Sequence, residues 1–210
     1  MPQNSTRRSG AITSGTLRPA AAAICAGVGR KGEAVGKWVY DIALKRTDAE
    51  FELVDLADFN LPFLDEPMPA AFGQYSHNHT RIWSAKIASF DGYMFVTPEY
   101  NHATSAALKN AIDFLNHEWA NKAAAFVAYG GTMGARAVES LRLVMAELQV
   151  ATVRAQVGLS LFTDFEGFKV FKPAETQTKH VNDMLDQLIA WSGALKPLRE
   201  KVYEHIGQNT

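Results

Sequence analysis

Apolar positions along the chain form short runs, separated by longer stretches in which they recur every three or four residues. The short runs AAAAICA (20–26), FELVDL (51–56), GYMFVT (92–97), KAAAFVAY (122–129) and one within ATVRAQVGLSLF (151–162) predict five buried strands. GYMFVT is the clearest, whereas its alanines make 20–26 a poor strand former. Between the strands, GEAVGKWVYDIALKR (32–46) predicts a helix with Val35, Val39, Ile42 and Ala43 on one face. NHTRIWSAKIASF (78–90), SAALKNAIDFLNHE (105–118), GARAVESLRLVMAELQV (134–150) and the terminal stretch 176–200 predict four more.

Strands alternating with helices argue for a parallel sheet covered on both faces. Five strands suit the α/β flavodoxin-like sandwich, order 2-1-3-4-5, better than the six-stranded dinucleotide order. Residues 20–200 form one domain in this reading, between an extension (1–19) and a C-terminal tail (201–210). In either order ligands lie outside the carboxyl ends of the strands, so the loops after strands one, three and four carry most weight.

Composition narrows the function classes. The 210 residues are 47% hydrophobic and 20% charged, with 21 Lys plus Arg against 22 Asp plus Glu. A net charge of -1 gives no electrostatic reason for a nucleic-acid or anionic-membrane partner. Cys25 is the only cysteine, which excludes an internal disulfide and a cysteine-rich metal site and fits a reducing cytoplasm. No apolar run is long enough to span a bilayer. The extension holds Arg7, Arg8 and Arg18 among Ser and Thr, a composition shared with transit peptides. It reads as disordered, because no apolar h-region or amphipathic helix is visible.

Three loops hold the candidate chemistry. After the first strand, CAGVGRKGEAV (25–35) places Gly27, Gly29 and Gly32 at G-x-G-x-x-G spacing, a weak pattern that fits either a dinucleotide loop or a phosphate loop. After the third, VTPEYNHATSAALKNAIDFL (96–115) combines Pro98 with the N-cap candidates Asn101, Thr104 and Ser105. Its main chain suits the edge of a flat polar ring with Tyr100 and His102 as walls; a plain Pro turn and cap is an equal reading. After the fourth, Gly130, Gly131 and Gly134 allow close backbone approach, with Thr132 as a cap for the next helix. Helix–sheet packing explains Gly134 better than it explains the Gly130–Gly131 pair.

The stretch TPEYN...LKNAIDFL with the following YGG...G loop resembles the NADPH-dependent FMN reductase family. The match continues through GRKGEAVGKWVYDIA, ELVDLADFNLPFLDEP, the helix containing Trp83, and EW with NK before the fourth strand. The resemblance implies FMN, an NADPH or NADH donor, and a homodimer or homotetramer. It implies hydride transfer from nicotinamide to flavin N5, then two electrons to a small-molecule quinone, azo, metal or flavin acceptor. By it, Pro98, Glu99, Tyr100 and Asn101 line the isoalloxazine, and Gly130 and Gly131 meet its pyrimidine edge. The flavin carries the chemistry, so no catalytic acid or base is assigned.

The family pattern G-S-T-R-P-G-R-x-G-E matches as GRKGE at 29–33, but Cys25, Ala26 and Gly27 stand where Ser, Thr and Arg are expected. The main-chain amides of Gly29, Arg30, Gly32, Glu33 and Ala34, the helix dipole and the Arg30 side chain are the expected phosphate contacts. An alternative is GTLRP at 15–19, with the alanine run as an insertion. Two other functions compete. One is a binding or regulatory module whose altered loop has lost tight FMN binding. The other, weaker, is a dehydrogenase of the dinucleotide fold: Glu50 and Glu52 stand at the start of their strand, where no ribose would lie, and Asp55 at its end leads into a loop the family match covers.

The remaining candidates read as structural. His77 and His79 lack a third ligand at metal spacing and read as solvated; His102 is either near a ligand or solvated. Trp38, Trp83, Trp119 and Trp191 read as core or interface anchors, and Glu33–Lys37 as an i,i+4 surface pair. Arg136, Glu139 and Arg142 read as helix-surface pairs. The long loop holding Phe72 and Tyr75 reads as a lid or subunit contact.

Overall fold

The computed structural model describes residues 20–25 and 31–207. Their order is β1 (Ala20–Cys25), α1 (Lys31–Ala43), β2 (Glu50–Asp55), α2 (Asn78–Ala88), β3 (Gly92–Pro98), α3 (Ala106–Asp113), β4 (Ala123–Gly130), α4 (Ala135–Glu147), β5 (Ala151–Ser160), β6 (Phe165–Glu166), β7 (Val170–Phe171) and α5 (Thr176–Gly207). Strands β1 to β5 form one sheet in the order β2-β1-β3-β4-β5, with every neighbouring pair parallel. This is the expected flavodoxin-like arrangement.

Period-two alternation along the central strands builds two cores. Tyr93, Phe95, Ala124, Phe126 and Ala128 pack on one face with Trp83, Leu108, Ile112, Trp119 and Leu141 from α2, α3, α4 and the loop after α3. Met94, Val96, Ala125 and Val127 pack on the other with Val35, Val39 and Ile42 of α1 and Val181, Leu185 and Leu188 of α5. The alanine run is a strand despite its low propensity, because it is zipped between β2 and β3 over its length. Its side chains Ala21, Ala22 and Ala23 are buried, and their small volume leaves room for the large residues of β3 and α1.

Trp83 and Trp119 are buried anchors whose indole N–H groups donate to Ala111 O (2.8 Å) and Ile112 O (3.1 Å). Trp38 meets Phe171 edge-on at 5.4 Å, while Trp191 stays 46% exposed. The hairpin of β6 and β7 was not expected from the sequence. Three residues join its strands, and the first two, Gly167 at φ 57° and Phe168 at φ 58°, are both left-handed, closed by a 3.1 Å bond from Lys169 N to Glu166 O.

Candidate functional site

The loops leaving β3 and β4 lie side by side because the strands they leave are paired to their last residues, Pro98 opposite Tyr129. Glu99 N extends the ladder by donating to Tyr129 O at 2.9 Å. The chain then reverses: Tyr100 and Ala103 exchange main-chain hydrogen bonds of 2.9 and 3.0 Å around Asn101 (φ 48°) and His102 (φ 73°). That is a tight two-residue turn with both central residues left-handed, a conformation asparagine tolerates well. Of the three cap candidates, Ser105 caps α3, its Oγ accepting from Leu108 N at 3.3 Å. Thr104 instead shares a 2.6 Å hydrogen bond with buried Thr97, and Asn101 serves the turn.

The β4 loop is shaped by close packing. A Cβ on Gly134 (φ 69°) would stand 2.4 Å from Ala128 Cβ and 2.9 Å from the Ala128–Tyr129 main chain, so packing against the sheet requires this glycine. One on Gly130 would approach Glu99 Cβ to 3.1 Å, whereas one on Gly131 would meet, among the described residues, just the Phe162 ring at 3.9 Å. Among the described residues nothing accepts from the main-chain amides of Gly131 or Thr132.

A latch joins the loops. Glu99, with a side chain only 4% exposed, accepts from Arg136 Nε (2.6 Å), Arg136 N (3.1 Å) and Thr132 Oγ1 (3.0 and 3.1 Å). Burial pushes the carboxyl pKa up, but the hydrogen bonds from Arg136 and Thr132 outweigh it and hold the group below the usual carboxylate range. Two expectations are thereby corrected. Thr132 does not cap α4, whose N-cap is Gly134 without a side-chain bond, because its hydroxyl is held by Glu99. Arg136 pairs across 37 residues with the neighbouring loop instead of along its own helix. The Glu99 side chain is committed to this latch, so only its main chain is left to face a ligand.

The other expected site residues divide. Pro98 and Gly130 are buried and contribute backbone, while Tyr100, Asn101 and Gly131 are exposed on the rim. Gly32, Glu33 and Ala34 occupy the first turn of α1; Gly29 and Arg30 lie outside the described residues, as does the N-terminal extension. Glu33 forms the expected pair with Lys37 at 2.6 Å. Both line a groove of about 230 Å³ with Leu53, Asp55 and Asp58, whose three carboxylates do not suit a phosphate. From this turn only the main-chain amides fit one. Asp55 itself accepts from Ala57 N at 3.0 Å, capping a short turn, and Glu52 pairs with Lys86 at 2.7 Å.

The histidine pair is half-buried and tied down rather than freely solvated. His77 and His79 stack at 5.2 Å, and His79 Nε2 lies 3.0 Å from Asp65 Oδ1. No three-residue His, Cys, Asp or Glu metal cluster occurs among the described residues. Arg142 makes no helix-surface ion pair among those residues; its guanidinium donates to Val153 O at 2.8 Å over the Phe126 ring. In the long loop, Tyr75 donates to Glu118 at 2.9 Å while Phe72 is exposed.

Sequence reasoning missed the aromatic side of the ledge. Phe162 follows β5 and Phe168 sits at the tip of the β6–β7 turn; their rings meet edge-on at 5.5 Å. The signal was FTDFEGFKVF, with an aromatic at every third position around a glycine.

The ledge thus offers main-chain donors that no described residue accepts from, over a floor latched by the buried Glu99 carboxylate. Those donors fit the carbonyl- and imide-bearing edge of an isoalloxazine ring, so the residues present fit FMN. A model of the NADPH-dependent FMN reductase family matches residues 19–164. The chain is 43% identical over 145 residues to the NAD(P)H-dependent FMN reductase ntnL of a Nectria species, covering 64% of this chain and 72% of that protein. It is 37% identical over 152 residues to an NAD(P)H-dependent FMN reductase of Schizosaccharomyces pombe, covering 71% and 76%. The fold is shared with the solved apo NADH:FMN oxidoreductase EMOB, at TM-score 0.60 and 21% identity over 82% of this chain and 89% of that one.

Proposed function

The chain belongs to the NADPH-dependent FMN reductase family and is an NAD(P)H-dependent flavin oxidoreductase; from that premise we propose where it holds its cofactor and what it reduces. The isoalloxazine lies on the ledge at the carboxyl ends of β3 and β4. Main-chain groups of Pro98, Glu99, Tyr100 and Asn101 flank it, and Gly130 and Gly131 meet its pyrimidine edge. The phosphate lies at the start of α1, against the amides of Gly29, Arg30, Gly32, Glu33 and Ala34 and the Arg30 side chain. The observation that carries this reading is the latch: Glu99, Thr132 and Arg136 fix both loops while the Gly131 and Thr132 amides stay unpaired.

Bound FMN supplies two-electron chemistry between NAD(P)H and an acceptor. The protein orients the ring through the latched loops. It also stabilises negative charge on the ring's polar edge with amide dipoles already in place, as an oxyanion hole does. The proposed acceptors are small molecules of the quinone, azo, ferric, chromate or flavin class. Relatives named 2-hydroxy-1,4-benzoquinone reductase (Burkholderia) and NADPH azoreductase (Bacillus) support the first two. A homodimer or homotetramer working in the cytoplasm completes the proposal. No helix among the described residues is long and apolar enough to cross a membrane.

The test is an FMN titration followed by NADPH oxidation with a quinone. Arg30→Ala should raise the FMN dissociation constant about tenfold to a hundredfold, the usual value of one charge-assisted hydrogen bond to phosphate. Unchanged affinity would remove the phosphate from this loop.

A further inference from the structure

We propose that Phe162, braced by Phe168, is the aromatic wall against which a planar aromatic electron acceptor lies at the rim of the ledge. This rests on the flavin reading above and narrows its substrate class to quinones and azo compounds over compact metal chelates.

Four observations converge. Phe162 is 68% exposed and Phe168 52%, yet the pair is held edge-to-face at 5.5 Å with an interplanar angle of 81°. The loop beneath them is built rather than slack. Phe162 N donates to Ser160 Oγ at 3.1 Å, and Asp164, only 2% exposed, accepts from Ser160 N (2.8 Å), Thr163 Oγ1 (3.2 Å) and Ala174 N (3.2 Å). Leu161 N donates to Gly130 O at 3.1 Å, which ties this loop to the glycine loop. Finally, among the described residues the Phe162 ring is the one neighbour within 4 Å of the place where a Gly131 side chain would start, beside a Gly131 amide that no described residue accepts from.

An exposed phenyl ring gains nothing from water, and a buried, fully bonded aspartate holding its loop in place needs a reason at the surface. The pair presents an aromatic face next to main-chain donors. A quinone or azo compound has both complements: a π-face for the ring and acceptor atoms for the amides. A compact, strongly hydrated chelate offers acceptor oxygens but no π-face for the ring.

The experiment titrates oxidised, FMN-loaded protein with naphthoquinone, without a reductant, and follows perturbation of the flavin absorbance band. Phe162→Ala and Phe162→Leu should each raise the naphthoquinone dissociation constant about three- to tenfold, the range of one aromatic contact. Phe162→Tyr should restore it, and Leu143→Ala, an exposed apolar change on α4, should not move it. In all of them the FMN dissociation constant should stay within about twofold. Unchanged naphthoquinone binding in Phe162→Ala overturns the proposal, as does a rise confined to the FMN constant. A shift to a smaller species on sedimentation overturns it too, because the pair would then be a contact between copies. A parent chain that takes up no FMN defeats the flavin reading and this inference together, whereas tight FMN binding with indifferent quinone binding defeats this inference alone.

Discussion

Arg136 Nε donates to Glu99 Oε1 at 2.6 Å, joining the first turn of α4 to the residue just beyond β3. The carboxylate is almost wholly buried and the guanidinium about half exposed, so the pair is worth more than a surface bridge and less than a fully buried one. Arg136→Ala leaves Glu99 with Thr132 and one main-chain amide, and should cost about 1–2 kcal/mol in urea unfolding. It should also raise the FMN dissociation constant about fivefold by loosening both loops. Because the folded carboxyl pKa is lowered, its contribution is complete above the unfolded value of about 4.3 and fades as pH falls through the lower folded value. The gap between parent and variant should be flat from about pH 8 to 5 and close below about 4.3. A gap that widens in acid would mean the carboxylate is not held by Arg136.

Gly134 is where the ledge meets the sheet. Gly134→Ala combines a left-handed φ of 69° with a Cβ 2.4 Å from that of Ala128 and 2.9 Å from the Ala128–Tyr129 main chain, so no flexible side-chain end is there to yield. A loss of about 3 kcal/mol or more is expected from strain and overpacking together. Thermal unfolding reads it directly, and a variant as stable as the parent would show that the loop can relax.

His102 holds the second left-handed position of the turn after β3, with its side chain exposed. That placement assigns it to shape rather than proton transfer. His102→Gly removes a conformational penalty of about 1 kcal/mol, so the fold should be unchanged or slightly more stable. The pH profile of NADPH oxidation should keep its form. Loss of one limb of that profile would make the imidazole a participant.

Much of this was legible because it depends on local periodicity. β3 and β4 are near-continuous apolar runs, so both the strands and their burial on two faces could be read. The ends were harder. α3 stops at Asp113, before the expected 118, because the next residues turn to place Trp119 in the core. The latch was invisible since residues 99, 132 and 136 meet only through strand pairing, and no spacing encodes that. Thr132 misled because a threonine before a helix is usually a cap, and here a buried carboxylate competes for its hydroxyl. The β6–β7 hairpin was hidden by strands of two residues each.

The opposite end of the sheet holds a group tuned by burial. Lys122, just before β4 and 3% exposed, donates to Ile87 O (3.0 Å), Ala88 O (3.1 Å) and Tyr93 Oη (2.9 Å), closing the carboxyl end of α2. Burial, and then the charge of Arg199, lower its pKa to about 7 against the opposing pull of Asp91 and Glu118. Tyr93, buried beside it, is pushed up by burial and stays neutral in this range. The unfolded chain therefore binds more protons than the folded one between about pH 7 and the free-lysine value of about 10.4, and stability must rise with pH across that window. Lys122→Met lacks this dependence while keeping the length of the side chain. Relative to it, the parent should gain on the order of 1–2 kcal/mol between about pH 7 and 9, with no further change below about pH 6. Urea unfolding of both proteins across that range measures the difference. A gap that is constant from pH 6 to 10 would mean that Lys122 titrates like a lysine in water and that its burial is compensated by the carboxylates of Asp91 and Glu118.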